Sequence, residues 1–248
     1  MKKNVCLCVI IFCVTLFNPG CNNEMEESSA ETEENPLEEL TEGEETDEEK
    51  EEVVEDSLED PDEKRESEEA MDPPDLTGMK AIFLLANGFH DAETTSPLAY
   101  LERHGVECVL VGPEIGEIAA YNTNTTLDIE KLIEDAEITD YDILIIPGGN
   151  SPRVLNLNEQ ALAFVRDFME TKKPVATICR GPYLLAGAGV LEGRTLTAMD
   201  FVEDAIFEAG GEFVNEAVFV DRNLITSREP GDLPLFNQAI IEALSTQK

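Results

Sequence analysis

The chain has 248 residues, of which 54 are acidic and 17 are basic, and its net charge at neutral pH is −37. Lysine and arginine form no cluster in the sequence, which argues against nucleic-acid binding, because that function needs a basic surface to neutralise phosphates. Only Cys108 and Cys179 lie beyond the first 21 residues, and two cysteines are too few for a disulfide framework.

The first 21 residues have the pattern of an export signal. Two lysines precede an apolar run, Cys6–Phe17, which is shorter than the ~20 residues that a membrane-spanning helix needs. A Gly-Cys pair follows and resembles a lipobox, although Asn18 stands where leucine is usual. We expect residues 1–21 to be a lipoprotein-type signal peptide, with Cys21 lipidated and the protein anchored to a membrane of the cell envelope. Secretion into the periplasm or medium, or an uncleaved anchor, are the alternatives.

Residues 22–78 have the composition of a solvated tether. They contain 27 acidic and three basic side chains and no aromatic residue. Such a segment cannot bury enough apolar surface to fold, and its like charges repel one another. We therefore expect an acidic, disordered linker. A cation-binding tail is the alternative, although the spacing of an EF-hand is absent.

The remaining residues, 79–248, alternate between apolar strand-like runs and helix-like segments. The predicted strands cover 79–86, 106–111, 141–146, 174–178, 194–198, 218–220 and 224–227. The predicted helices cover 93–104, 129–136, 158–172, the segment after Cys179, and 233–244. This alternation predicts an α/β domain, a three-layer sandwich with a mostly parallel sheet covered by helices on both faces.

Three loops are expected to meet at the carboxyl ends of the strands, where such sheets bind ligands. They are residues 87–93, 147–153 and 178–181. The last of them contains Cys179, between a strand and a helix that opens with Gly-Pro. A strand-to-helix turn exposes a nucleophile, and the positive end of the helix favours thiolate over thiol. A buried, inert cysteine at the end of a strand is the alternative.

Four segments, in order along the chain, resemble the ThiJ/PfpI family. They are GFHDAETTSP at 88–97, PGGN at 147–150, ATICRGP at 176–182 and TSREPG at 226–231. The family is the DJ-one-like branch of the flavodoxin-like, class I glutamine amidotransferase-like fold, and the resemblance runs from about Met79 to Leu244.

The resemblance implies a role for particular residues. Cys179 corresponds to the reactive cysteine, and Glu93 corresponds to the acid whose side chain meets it. The backbone N–H groups of Gly149 and Arg180 correspond to the oxyanion hole. Family membership also implies a homodimer and a chemistry that needs neither a cofactor nor a metal ion.

The sequence departs from the family at three positions near the site. Arg180 follows the cysteine where the peptidase-like members carry histidine, and Arg153 stands where those members use an acid on a neighbouring subunit. Met199 lies, by its spacing, where glyoxalase and deglycase members often have a further histidine. The two arginines are expected to lower the pKa of Cys179 and to hold an anionic group. His90 is an auxiliary candidate that could supply the missing imidazole, and a solvent-facing loop histidine is the alternative.

Three functions remain open at this point. One is an enzyme of the glyoxalase or deglycase type, in which Cys179 attacks a small reactive carbonyl and Glu93 moves the proton, in stress protection. The second is a non-catalytic redox-sensing or binding domain, in which an oxidant converts Cys179 to a sulfinate held by Glu93. Mass spectrometry after mild peroxide treatment separates them, since a sensor is oxidised selectively at Cys179. A cysteine peptidase is the third and weakest reading, because both of its helper residues are replaced.

Overall fold

The computed structural model describes residues 74–247. The predicted signal peptide, the lipidation site Cys21 and the linker up to residue 73 lie outside the described residues. Within the described part, no helix combines the length and the apolar character needed to cross a membrane.

The described residues form eleven strands and six α-helices. The strands are β1 Lys80–Leu84, β2 Glu107–Gly112, β3 Gly116–Ala119, β4 Thr126–Ile129, β5 Lys131–Leu132, β6 Ile143–Ile146, β7 Val175–Ile178, β8 Thr195–Leu196, β9 Glu212–Phe213, β10 Val218–Asp221 and β11 Leu224–Ser227. The helices are α1 Asp91–Arg103, α2 Ser151–Leu155, α3 Glu159–Glu170, α4 Pro182–Ala188, α5 Glu203–Glu208 and α6 Leu233–Ser245.

The central sheet confirms the predicted fold class. Its strand order is β10-β11-β7-β6-β1-β2-β5, and every pairing in it is parallel except that of β10 with β11. The strands β6, β7 and β11 are buried along their whole length, which explains why their sequences are continuous runs of mostly apolar residues. The fold is therefore a three-layer sandwich with a mostly parallel sheet.

Two apolar cores lie on the two faces of this sheet. On one face, α3, α4 and α5 contribute Phe168, Leu184 and Ile206 to the core. On the other face, α1 and α6 contribute Leu101 and Phe236. Helix α3 shows how the sequence specifies such an element. The Asn158 side chain accepts a hydrogen bond from the N–H group of Ala161, 3.0 Å away, and so caps the start of the helix.

One predicted helix, 129–136, is wrong. Ile129 instead ends β4, two further residues form β5, and a short 3₁₀ turn covers Ile133–Asp135. Ile129 and Ile133 have the i, i+4 spacing of a helix face, but both are buried by tertiary packing against other elements. Strand β4 pairs with β3 in an antiparallel hairpin outside the central sheet, and the sequence analysis missed this hairpin together with α2, α5 and β9.

Candidate active site

Cys179 occupies the turn between β7 and α4, as predicted. Its φ angle is +63°, a left-handed conformation that residues other than glycine rarely adopt. Two backbone hydrogen bonds hold it there, from its N–H group to the carbonyl of Ser227 (3.0 Å) and from the N–H group of Met199 to its carbonyl (3.2 Å). The surrounding sheet therefore fixes a strained turn, which is the conformation of a nucleophile elbow.

Glu93 is a fully buried acid in the first turn of α1. Its Oε2 accepts a hydrogen bond from the N–H group of Gly148, 3.1 Å away, and its carboxyl group is hydrogen-bonded to Cys179. Burial raises the pKa of Glu93 from 4.5 to about 7, while the hydrogen bonds from Cys179 and Gly148 and the charge of Arg180 oppose this rise. Glu93 therefore gains and loses its proton near neutral pH, as a general acid–base group must.

The pKa of Cys179 is raised to about 12, first by burial and then by the charge of Glu93 and its hydrogen bond. The N–H groups of Gly149 and Arg180 act in the opposite direction. The predicted lowering of this pKa is therefore wrong while Glu93 is ionised. Two adjacent buried negative charges are unfavourable, so the pair holds one proton between pH values of about 7 and about 12, and the thiolate forms when that proton lies on Glu93.

The three predicted loops do meet at this end of the sheet. Phe89 forms a β-bridge with Gly149, and the N–H group of Asn150 donates to the carbonyl of Gly88 over 2.7 Å. Gly149 has a φ of +81°, and a Cβ atom there would lie 2.5 Å from the backbone nitrogen of His90. Glycine is therefore required for the second loop to approach the first, and the approach brings the Gly149 N–H group to the sulfur of Cys179.

His90 lies beside Glu93, with its Nδ1 atom 3.9 Å from Glu93 Oε1, and neither atom has a hydrogen-bond partner. The tautomer of His90 follows from its neighbours. The Asn122 Oδ1 atom accepts from the N–H group of Asp91 (3.1 Å), so the Asn122 amide nitrogen is the atom that faces His90 Nε2, 3.3 Å away. His90 Nε2 therefore accepts, Nδ1 carries the proton, and this N–H group faces Glu93.

Replacing His90 by alanine is expected to raise the pKa of Glu93, and with it the lower inflection in the pH profile of Cys179 alkylation, by about half a unit. The reason is that the His90 Nδ1–H group faces Glu93 and favours its ionised form. The inflection is read from the rate of reaction with iodoacetamide across pH 5–10. His104→Ala, at the other end of α1, is the control, and an identical profile for His90→Ala and the wild type would contradict the assignment.

Arg180 lies at the mouth of the site between two aromatic rings. Its guanidinium carbon is 5.1 Å from the ring centre of Phe201 and 5.8 Å from that of Tyr121. Its Nη1 atom donates to the Asn150 side chain over 2.9 Å. These contacts fix the guanidinium beside the Cys179 turn through cation–π attraction and one hydrogen bond.

Arg153 and Met199 complete the set of positions discussed from the sequence. Arg153 is exposed in the middle of α2 and lies over the ring of Tyr183, 5.7 Å from its centre. Met199 places its Sδ atom 3.6 Å from the Cys179 sulfur. The spacing argument therefore found the residue that faces the cysteine, and a thioether cannot act as the base that a histidine would supply.

The sequence analysis missed three residues that shape the site, Tyr121, Asn122 and Phe201. Tyr121 and Asn122 lie in the turn of the β3–β4 hairpin, within a run rich in threonine and asparagine that is typical of turns. That composition could have located the turn, but nothing in the sequence indicates that it packs on the start of α1. Within residues 74–247, no three histidine, cysteine, aspartate or glutamate side chains are grouped so that they could hold a metal ion.

Comparison with known proteins agrees with this geometry. The model of the DJ-1/PfpI family matches residues 79–243. The chain is 35% identical over 166 residues to a deglycase of Thermococcus kodakarensis, covering 67% of this chain and 99% of that protein. It is 36% identical over 167 residues to protein/nucleic acid deglycase 2 of Escherichia coli, covering 66% of this chain and 97% of the relative.

A solved structure is similar in fold and sequence. It is a two-domain protein of Anabaena variabilis with DJ-1/ThiJ/PfpI-like and ferritin-like domains, and the superposition has a TM-score of 0.66 at 32% sequence identity. The superposition covers 67% of this chain and 48% of that protein.

Proposed function

Because the chain belongs to the DJ-1/PfpI family, we propose that it acts on small reactive carbonyl compounds in the manner of its deglycase relatives. The observation that carries this proposal is the fully buried Glu93 carboxyl group, which lies with Cys179 against the same face of Gly148 at the strained turn. The finer parts of the proposal are a role in stress protection and attachment to the cell envelope through Cys21.

The first step uses the single proton that Cys179 and Glu93 share. With this proton on Glu93, the thiolate adds to the aldehyde carbon of a 2-oxoaldehyde, and a carbon–sulfur bond forms. Glu93 then gives its proton to the former carbonyl oxygen, which produces a neutral hemithioacetal. The N–H groups of Gly149 and Arg180, which already face the sulfur, stabilise the negative charge that develops on this oxygen.

The second step moves a proton between neighbouring carbons. The Glu93 carboxylate takes the proton from the attacked carbon and delivers it to the neighbouring carbon, while the hydroxyl proton on the attacked carbon passes to the neighbouring oxygen, so that the hemithioacetal becomes a thioester of a 2-hydroxy acid. Water hydrolyses the thioester, releases the acid and restores the thiol. When the aldehyde is already attached to an amine, attack of Cys179 at the same carbon expels the amine and gives the same hemithioacetal.

The test of this proposal is turnover of methylglyoxal by the purified protein. We expect lactate to form, free amine to be released from a methylglyoxal-treated peptide, and kcat/KM to fall by about 10³-fold or more in Cys179→Ser. Cys108→Ser is the matched control, because Cys108 is a half-buried free thiol on β2 that the mechanism does not use. A folded wild-type protein that forms neither product would refute the proposal.

A further inference from the structure

We propose that Arg180 forms an anion subsite that binds a carboxylate next to the carbonyl group that Cys179 attacks, so that 2-oxo carboxylates such as glyoxylate are ligands of the site. This inference rests on the proposed function and extends it to a ligand class of the same site. A 2-oxo carboxylate has no second carbonyl group to accept a proton, so its hemithioacetal with Cys179 cannot become a thioester, and the compound competes with neutral 2-oxoaldehydes.

The first argument is that the guanidinium of Arg180 is held in place with most of its donors unused. Two aromatic rings, of Phe201 and Tyr121, and one hydrogen bond to Asn150 fix its position. Of the five N–H donors in a guanidinium group, only that one hydrogen bond involves a partner among residues 74–247. A pre-positioned planar group with free donors matches a carboxylate, which it can bind through two parallel hydrogen bonds.

The second argument is the absence of an internal counter-charge. Residues 79–248 contain 27 acidic and 12 basic side chains, so a surface arginine in this domain has many candidate partners. Within the described residues, Arg194, Arg222 and Arg228 each pair with an aspartate, whereas Arg180 forms no ion pair. Arg103, Arg153 and Arg166 form none either, but the charge of Arg180 acts on the reacting groups, where it opposes ionisation of His90 and favours that of Glu93.

The third argument is the position of the residue along the chain. The backbone N–H group of Arg180 faces the Cys179 sulfur, and its side chain lies at the mouth of the same turn. A substrate whose carbonyl carbon is at the sulfur has its next carbon beside this residue. One residue can therefore contact the developing oxyanion through its backbone and the adjacent carboxylate through its side chain.

The test compares iodoacetate with iodoacetamide as reagents for Cys179. Both form a carbon–sulfur bond and release iodide, and they differ only in whether a carboxylate or a neutral amide adjoins the attacked carbon. The readout is the ratio of the two alkylation rates at Cys179, measured by peptide mass spectrometry. The thiolate fraction cancels in this ratio, so a change in the pKa of Cys179 does not affect it, and no turnover is required.

We expect the iodoacetate-to-iodoacetamide ratio at Cys179 to exceed that of 2-mercaptoethanol, and Arg180→Gln to lower it roughly tenfold. The glutamine variant keeps the backbone N–H group. Arg103→Gln, which removes the same charge at the far end of α1, is the control and should leave the ratio unchanged. A wild-type ratio no higher than that of the free thiol, or an unchanged ratio in Arg180→Gln, would overturn the inference.

A second measurement separates failure of this inference from failure of the proposed function. The measurement is pyruvate binding to the Cys179→Ser variant, detected by ligand-observed NMR, and it involves no covalent step. We expect Arg180→Gln to weaken this binding roughly tenfold. If neither reagent alkylates Cys179 but pyruvate binding still depends on Arg180, the nucleophile is lost and the anion site stands. If pyruvate binding does not depend on Arg180, the anion site is refuted.

Discussion

Glu93→Gln is expected to lower kcat by about 10²- to 10⁴-fold and, at the same time, to make Cys179 easier to ionise. The two effects are opposite because Glu93 has two influences on the sulfur. Its charge and hydrogen bond raise the pKa of Cys179, and its proton is needed in the reaction. Glutamine has the same shape, and its amide can donate to the thiolate, but it can carry no shared proton.

The measurement is the pH dependence of the ultraviolet absorbance of the thiolate, in a background in which Cys108 and the four cysteines of residues 1–21 are replaced by serine, so that Cys179 is the single thiol. In the variant, we expect the pKa of Cys179 to fall from about 12 toward the free-thiol value of ~8.5. Turnover of methylglyoxal is measured on the same samples. A variant that keeps full turnover, or whose thiol becomes harder to ionise, would contradict the shared-proton arrangement.

The same substitution is expected to stabilise the protein at alkaline pH. The folded-state pKa of Glu93, about 7, lies above its ordinary value of 4.5, so the folded protein binds more protons than the unfolded chain between these values. The free energy of unfolding of the wild type therefore falls as the pH rises from 4.5 to 7, by up to about 3 kcal/mol. Glu93→Gln removes this loss, and its advantage in urea unfolding should be larger at pH 8 than at pH 4.5. An equal difference at the two pH values would show that Glu93 ionises normally in the folded protein.

Gly148→Ala is expected to destabilise the protein by about 3 kcal/mol and to lower turnover by 10²-fold or more. A Cβ atom at Gly148 would collide with Glu93 Oε2 and would lie 2.8 Å from the Cβ atom of Cys179. Both atoms belong to the reacting pair, so the added methyl group separates the groups that must exchange a proton. The free energy of unfolding in urea and kcat/KM for methylglyoxal are the measurements.

Gly231→Ala is the matched control for this substitution. The nearest atom to an added Cβ there is Glu229 Oε1, 3.8 Å away, so the change in stability should be within about 0.5 kcal/mol. A double variant with Glu93→Ala removes one of the two collisions at Gly148. It should therefore be less destabilised than the sum of the single variants. Simple additivity would mean that Gly148 and Glu93 are not in contact.

Most strands of the central sheet and the meeting of the three loops could be predicted from the sequence because both follow from local patterns. Continuous apolar runs indicate strands buried on both faces. In a parallel sheet, the loops that follow such strands all lie at the carboxyl ends of the strands. The prediction of a helix over 129–136 was wrong because the spacing of its isoleucines fits both a helix and the observed strands. Only the pairing of β4 with β3 decides between the two. The homodimer and the lipid anchor at Cys21 stay predictions.

The chemistry of the site could be predicted only in part. The strand-to-helix turn located Cys179, and the family motif located Glu93, but the prediction of a lowered thiol pKa considered only the end of α4 and the charges of Arg153 and Arg180. Those effects are outweighed by burial and by a carboxyl group from a distant part of the chain. The contacts of Arg180 with Tyr121 and Phe201 likewise join segments that no periodicity connects.

The β3–β4 hairpin contributes no strand to the central sheet, yet its turn supplies the amide that sets the His90 tautomer and one of the rings that hold Arg180. The residues that set the His90 tautomer and the Arg180 position are thus separate from the residues that form the central sheet. Substitutions in this turn can alter proton transfer and substrate preference at little cost in stability. A lineage carrying this domain can therefore change its chemistry by varying a short surface segment while Cys179 and Glu93 remain as they are.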